Sequence, residues 1–193
     1  MPRPDIQTSR RRALVQAAIA EIGKRGTLDV TVGGIARRAG VSSALAHHYF
    51  GSKDHILTAA MRHILQGLRA EHLRRLRGVT GPRERLRATI AANFGGQSFR
   101  REVIAAWLAF YVSAQHDREA RRLLRVYQRR LRSALLSDLR PLAGDDAPQL
   151  ADTVAALIDG FYIREASRTG AADPAGLAAR IDATLDTLLE ARA

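Results

Sequence analysis

ALAHHYFGSKD, residues 44–54, sets two histidines side by side, follows them with two aromatics and closes on a turn. Adjacent imidazoles can hold a divalent ion or relay a proton, and either task needs the two rings to converge on one point. Helix geometry argues against convergence. At about 100° per residue His47 and His48 diverge, whereas two histidines that share a zinc ion on a helix stand four residues apart. Neither has a His or Asp four residues away within the same helix. The chain has no cysteine, which removes a thiolate zinc site, a disulfide framework and a cysteine nucleophile, and it has no Gly-rich nucleophile turn. The expectation is no metal, no cofactor and no catalytic site.

The elements that carry these residues are helical. β-branched alternation never persists, while apolar residues recur at three- and four-residue spacing throughout the 193 residues. The pattern predicts an all-α protein: helices over about 8–24, a helix capped by Thr31, a tight turn at Gly40, and a short helix capped by Ser42 or Ser43. A long helix follows from Ser52 to about Leu76. RGVTGPRE is the clearest break in the chain, and helices then run over about 83–95, 99–115, 118–140, 149–169 and 174–191. Leu14, Val15, Ala18, Ile19 and Ile22 form the inward stripe of the first helix, with Glu21 at its edge. No stretch approaches a membrane span, and the basic start passes straight into a helical pattern where a secretory leader has an uninterrupted apolar run, so the chain is expected to work in the cytoplasm.

Two helices joined by a short Gly-containing turn make a helix-turn-helix, and the charge points the same way. The net charge is +12, and residues 1–53 alone carry nine cations (Arg3, Arg10, Arg11, Arg12, Lys24, Arg25, Arg37, Arg38, Lys53) against Asp5, Glu21 and Asp29. An excess of that kind favours a polyanion. On the short helix Val41, Leu45 and Tyr49 are expected to point inward, which turns Ser43 and His47 outward with Ala44 and His48 on the flanks. His47 then faces the groove, His48 the backbone wall, and Lys53 offers a cation at the start of the next helix, where phosphates bind readily. The candidate DNA-contacting set is Thr31, Arg37, Ser42, Ser43, Ala44, His47, His48, Tyr49 and Lys53. A basic protein of the membrane surface or of RNA would need its charge spread along a leading amphipathic face, so no membrane partner is expected.

Beyond residue 53 the aromatics are concentrated. IAAWLAFYVSAQHD places Trp107, Phe110 and Tyr111 on one side of one helix, and VAALIDGFYIREAS adds Asp159 and Tyr162, three residues apart, with Phe161 and Glu165 turned away from Asp159. Aromatic faces and a carboxylate suit an organic cation, of which choline is the simplest quaternary example. Packing of an ordinary core uses the same residues, and Asp159 could pair with an arginine. Along 118–140, Leu124, Tyr127, Leu131 and Leu135 form an inward stripe and Arg118, Arg121, Arg122, Arg125, Arg129 and Arg132 a solvated outer face.

TVGGIARRAGVSSALAHHYFGSKDHIL resembles the DNA-binding head of the TetR family over roughly residues 9–60, with the difference that the family often has Tyr-Tyr-His-Phe where this chain has His47-His48-Tyr49-Phe50. MPRPDIQTSRRR, ALAHHYF, NF at 93–94, AAWLAFYVSAQ and ALIDGFYIR together resemble the choline-responsive BetI-type branch of that family. The resemblance implies a DNA-binding domain over 1–52 and a helical ligand-binding and dimerisation domain over 53–193. It further implies a homodimer on a palindromic double-stranded DNA operator, repression of glycine betaine synthesis, and relief by choline. ALIDGFYI and LAARIDATLDTLLEA are the segments expected to pair between copies.

Overall fold

Local chemistry marks where the helices begin and end. The computed structural model describes residues 6–95, 99–169 and 172–191, and in these the chain forms α1 Ile6–Arg25, α2 Val32–Arg38, α3 Ser43–Phe50, α4 Lys53–Arg75, α5 Pro82–Asn93, α6 Arg101–Ser113, α7 Arg118–Ala143, α8 Ala147–Ala166 and α9 Pro174–Glu190. There is no strand among the described residues. The hydroxyl of Thr31 accepts from the Gly34 amide at 3.1 Å and that of Ser42 from the Leu45 amide at 3.2 Å, so each caps the helix that follows it. Gly40 (φ 69°) makes the turn between α2 and α3, a conformation that side chains with a Cβ rarely adopt. The opening MPRPD and Gly170-Ala171 of the last interhelical break lie outside the described residues.

The chain packs as two compact units. The first comprises Met1–Leu65 and Arg100–Leu123, and the second Gln66–Phe99 and Leu124–Ala193. The division falls inside α4 and inside α7, so each of these two helices contributes residues to both units. In the first, the whole expected α1 stripe is buried, together with Ile35 and Ala36 of α2 and Ile56, Leu57, Ala60, Met61 and Ile64 of α4. Burying each large aliphatic side chain contributes about 1.5–3 kcal/mol. α6 packs directly on α1, and the crossing is close: a Cβ at Gly23 would lie 2.5 Å from the Glu102 Cα and carbonyl oxygen. At the edge of the stripe Glu21 accepts from Arg38 at 2.6 Å and lies 3.7 Å from Arg25. The Arg38 hydrogen bond holds the Glu21 carboxyl below its usual range.

The second unit is built on Leu86 and Ile90 of α5, Leu135 and Leu139 of α7, Leu150, Val154 and Ile158 of α8, and Ile181 and Leu185 of α9, all buried. α7 follows the expected division: Leu124, Leu131 and Leu135 are buried, Tyr127 is half-buried, and the named arginines are exposed. Charge pairs tie the helices. Arg83 reaches Asp182 at 2.6 Å and Asp186 at 2.7 Å, and Arg85 holds the buried Asp138 at 2.8 Å. A polar thread runs through the apolar packing. His72 Nε2 and the Thr89 hydroxyl are hydrogen-bonded at 3.0 Å, Asn93 donates to the Thr89 carbonyl at 2.9 Å, and the Tyr127 hydroxyl donates to Asn93 Oδ1 at 3.3 Å.

Candidate nucleic-acid interface

Every candidate DNA-contacting residue lies in the first unit, on α2, on α3, at their N-caps or, for Lys53, at the start of α4. Thr31, Arg37, Ser42, Ser43, Ala44, His47 and His48 are exposed, and Tyr49 and Lys53 are half-buried. α3 rotates slightly from the expected facing. Ala46 and Phe50 are its buried residues, while Val41, Leu45 and Tyr49 are only half-buried. Phe50 also receives the Arg11 guanidinium on its ring face, 4.8 Å from the centroid, which fastens α1 to the end of α3.

The two histidines do different things. His48 stands edge-on to the Tyr49 ring, with centroids 5.6 Å apart. The His47 ring turns back to the chain, where Nδ1 lies 3.2 Å from the Gly51 carbonyl oxygen. His55, on α4, does the same one residue earlier, with Nδ1 2.9 Å from the Phe50 carbonyl. Carbonyl oxygens only accept, so both nitrogens carry hydrogen and donate. Gly51, at φ 74°, supplies the bend that presents these carbonyls, and its amide donates to the His47 carbonyl at 2.7 Å. Sequence reasoning singled out His47 and passed over Gly51 and His55. The signal available was the punctuating Gly after a helix, which marks a turn without revealing what closes on it.

The cations differ in how free they are. Arg38 is committed to Glu21, and Lys53 lies 3.8 Å from Asp29, a loose pair whose carboxylate is 93% exposed. Screened pairs of that kind contribute little, so Lys53 stays available to a phosphate. The hydroxyls of Thr31 and Ser42 accept an amide hydrogen as caps and keep their own hydrogens to donate. Among the described residues no group of three or more His, Asp or Glu is placed to hold a metal ion.

The five residues singled out for an organic cation divide between the units. In the first, Trp107 and Phe110 are 3% and 2% exposed, Tyr111 is half-buried, and the Trp107 and Tyr111 rings meet edge to face at 5.5 Å. In the second, Asp159 is half-buried and Tyr162 buried, its hydroxyl donating to the Asn93 carbonyl. Burial, and then the negative charge of Asp159, push the Tyr162 phenol well above its ordinary range. Tyr162 stacks on Phe94 at 5.8 Å and meets Phe99 edge to face at 5.3 Å. Phe94 entered the sequence reading only as part of the NF pair at 93–94 and Phe99 only as the start of an expected helix, because the cluster forms only when the chain after α5 meets Tyr162 of α8.

Two family descriptions match this chain: "Bacterial regulatory proteins, tetR family" over residues 14–60, and "BetI-type transcriptional repressor, C-terminal" over residues 82–190. The HTH-type transcriptional regulator BetI of Agrobacterium fabrum is 50% identical over 179 residues, covering 92% of this chain and 85% of that one. BetI of Rhizobium meliloti is 50% identical over 170 residues, covering 88% and 84%. The chain is a BetI-type repressor of the TetR family.

Solved structures share the fold at lower identity. A transcriptional regulator from Rhodococcus sp. Rha1 superposes with a TM-score of 0.82 at 23% identity, covering 94% of this chain and 96% of that one. A regulator from Saccharomonospora viridis, solved in complex with choline, gives 0.75 at 23%, covering 95% and 96%. As a TetR-family regulator the protein binds DNA and is not an enzyme. The tetR match spans all nine candidate DNA-contacting residues, and the BetI-type match spans all five residues singled out for a ligand. Among the described residues no helix is long and apolar enough to cross a membrane.

Proposed function

We propose that this BetI-type repressor works in the cytoplasm, represses glycine betaine synthesis from choline, and is released from its operator by choline. The observation that carries the reading is the 50% identity to BetI regulators across 92% of the chain. The choline held by the Saccharomonospora viridis regulator of similar fold supports the ligand class. Residues 1–52 form the DNA-binding domain in this reading and 53–193 the ligand-binding and dimerisation domain. The candidate ligand residues in this reading are Trp107, Phe110 and Tyr111 of the first unit, whose rings suit a quaternary ammonium group, and Tyr162 and Asp159 of the second, a ring and a carboxylate of the kind that suits the same group. Thr31, Arg37, Ser42, Ser43, Ala44, His47, His48, Tyr49 and Lys53 form the operator-facing set.

Two copies pair through α8 and α9 and present two α3 helices to half-sites about one turn of DNA, 34 Å, apart. Supporting this, Ala156 and Ile163 are exposed on α8 at the spacing of one helix face with Gly160, where small residues permit close approach. Choline acts by shifting the population toward a spacing of the reading helices that does not match the operator, with α4 as the element that carries the chain out of the DNA-binding domain.

The test is fluorescence-polarisation binding to a palindromic operator at fixed salt, with and without saturating choline. Affinity should fall with choline, Trp107→Ala should lose that response while binding operator normally, and Ile163→Asp should sediment as a monomer. Operator affinity that is the same at saturating choline removes choline as inducer, and release by a different lipophilic cation would then name the ligand.

A further inference from the structure

The His47 ring is oriented by a bond that also sets which of its nitrogens is left for DNA. Its Nδ1–H donates to the Gly51 carbonyl at 3.2 Å, and the neighbouring carbonyl of Phe50 is taken by His55. A neutral imidazole with hydrogen on Nδ1 has a bare lone pair on Nε2. The residue is exposed on the reading helix, so in that neutral form the group it offers to DNA is an acceptor.

Acceptors and donors find different partners on a duplex. Phosphate oxygens only accept, so a bare Nε2 meets them lone pair to lone pair. In the major groove the hydrogen-bond donors are the exocyclic amino groups of adenine (N6) and cytosine (N4), while guanine presents N7 and O6 and thymine O4, all acceptors. The rest of the surface is complementary in role. The cap hydroxyls of Thr31 and Ser42 keep a hydrogen to donate, and Arg37 and Lys53 are cations, so these four suit phosphates.

We propose that His47 is a specificity-determining residue that accepts a hydrogen bond from the amino group of an adenine or cytosine in each operator half-site. The proposal rests on the reading that His47 faces the operator, and its test separates the two. Half-sites are selected from a randomised duplex pool with the full-length wild-type protein. One position per half-site should be confined to A or C on one strand, and His47→Ala should lose that restriction and keep the rest of the site. His47→Gln, whose amide pairs with adenine, should keep A at that position, and it serves if the alanine variant fails to fold. For a site selected with adenine, replacing that base by purine, which lacks the amino group, should weaken wild-type binding about 3- to 10-fold and leave His47→Ala unchanged.

Three results overturn the proposal. Confinement of the position to guanine shows a donating ring. Affinity lost by His47→Ala equally on all sequences shows a phosphate contact, which leaves His47 facing DNA but not reading it. Wild-type affinity and wild-type preference in His47→Ala remove His47 from the operator altogether, and with it the reading on which the proposal rests.

Discussion

Replacing Gly23 by alanine asks whether α1 and α6 cross as closely as their backbones indicate. The added methyl would sit 2.5 Å from the Cα and the carbonyl oxygen of Glu102 and 2.6 Å from its Cβ. Carbon atoms in contact rest about 3.5–4.0 Å apart, so the helices must separate by about 1 Å, and since the obstructing atoms are mostly backbone no rotamer change relieves them. Overpacking of this kind costs about 1–3 kcal/mol, against which the better helix propensity of alanine returns up to about 1 kcal/mol. The net loss, about 1–2 kcal/mol, corresponds to a melting temperature lower by about 2–8 °C for a chain of this size. Thermal unfolding followed by circular dichroism measures it, and emission from Trp107, on α6 itself, reports whether that helix has moved. Gly33→Ala is the control. The new methyl there meets only Ser43 Oγ, at 3.6 Å, and φ is not positive, so propensity alone should raise stability by about 1 kcal/mol or less. A Gly23→Ala protein that melts at or above the wild-type temperature refutes the close crossing and the argument built on it.

The remaining expectations concern caps and protons. Ser42→Ala removes the acceptor for the Leu45 amide and should cost about 1 kcal/mol in a denaturant titration while also weakening operator binding, with Ser42→Thr restoring both. His72 is held below the ordinary histidine range by burial and then by Arg85, with Asp138 opposing, so the fold favours its neutral form. The unfolded chain takes up that proton as pH falls through about 6.5, so stability is full above this value and declines below it, and urea midpoints at pH 7.5 and 5.5 should differ less in His72→Gln. The Glu71 carboxyl is held down at about 2, chiefly by the hydrogen bond from Arg74 with Arg75 adding to it against desolvation. Its contribution is present above the unfolded value near 4.5 and lost as pH falls toward 2. Because Arg74 is 60% exposed the amount is about 1 kcal/mol, and acid titration of Glu71→Gln should lack that share.

Helix ends were the most legible part of this chain, since they depend on chemistry local in sequence. Thr31 and Ser42 cap where a hydroxyl before an apolar pattern predicts, Gly26 and Gly40 turn where the pattern stops, and α5, α8 and α9 begin within about two residues of their prolines and expected starts. The facing of α3 was read less well. Ala46 has too little side chain to announce itself as core, yet it is fully buried, while the larger Leu45 and Tyr49 lie at the boundary. The reach of α6 was not legible at all. Its grouping with α1 depends on the absence of one Cβ at Gly23, and sequence spacing says nothing about which backbone arrives there. The same holds for the clustering of Phe94 and Phe99 with Tyr162, and for the Nδ1 bond of His47, which exists only because Gly51 bends the chain back under the ring.

Eight residues are too few for a helix to persist alone in water, where about 12–15 are marginal, yet α3 is held at both ends by bonds made within the unit itself. It therefore meets DNA already ordered. A segment that folds only on contact forfeits about 1–2 kcal/mol of backbone entropy for each residue it fixes, and over a helix of this length that loss would rival the whole sequence-specific part of operator affinity. Ser42, Gly51 and the two imidazoles settle that entropy during folding, so the few contacts made by so short a helix can appear in the binding constant nearly undiminished.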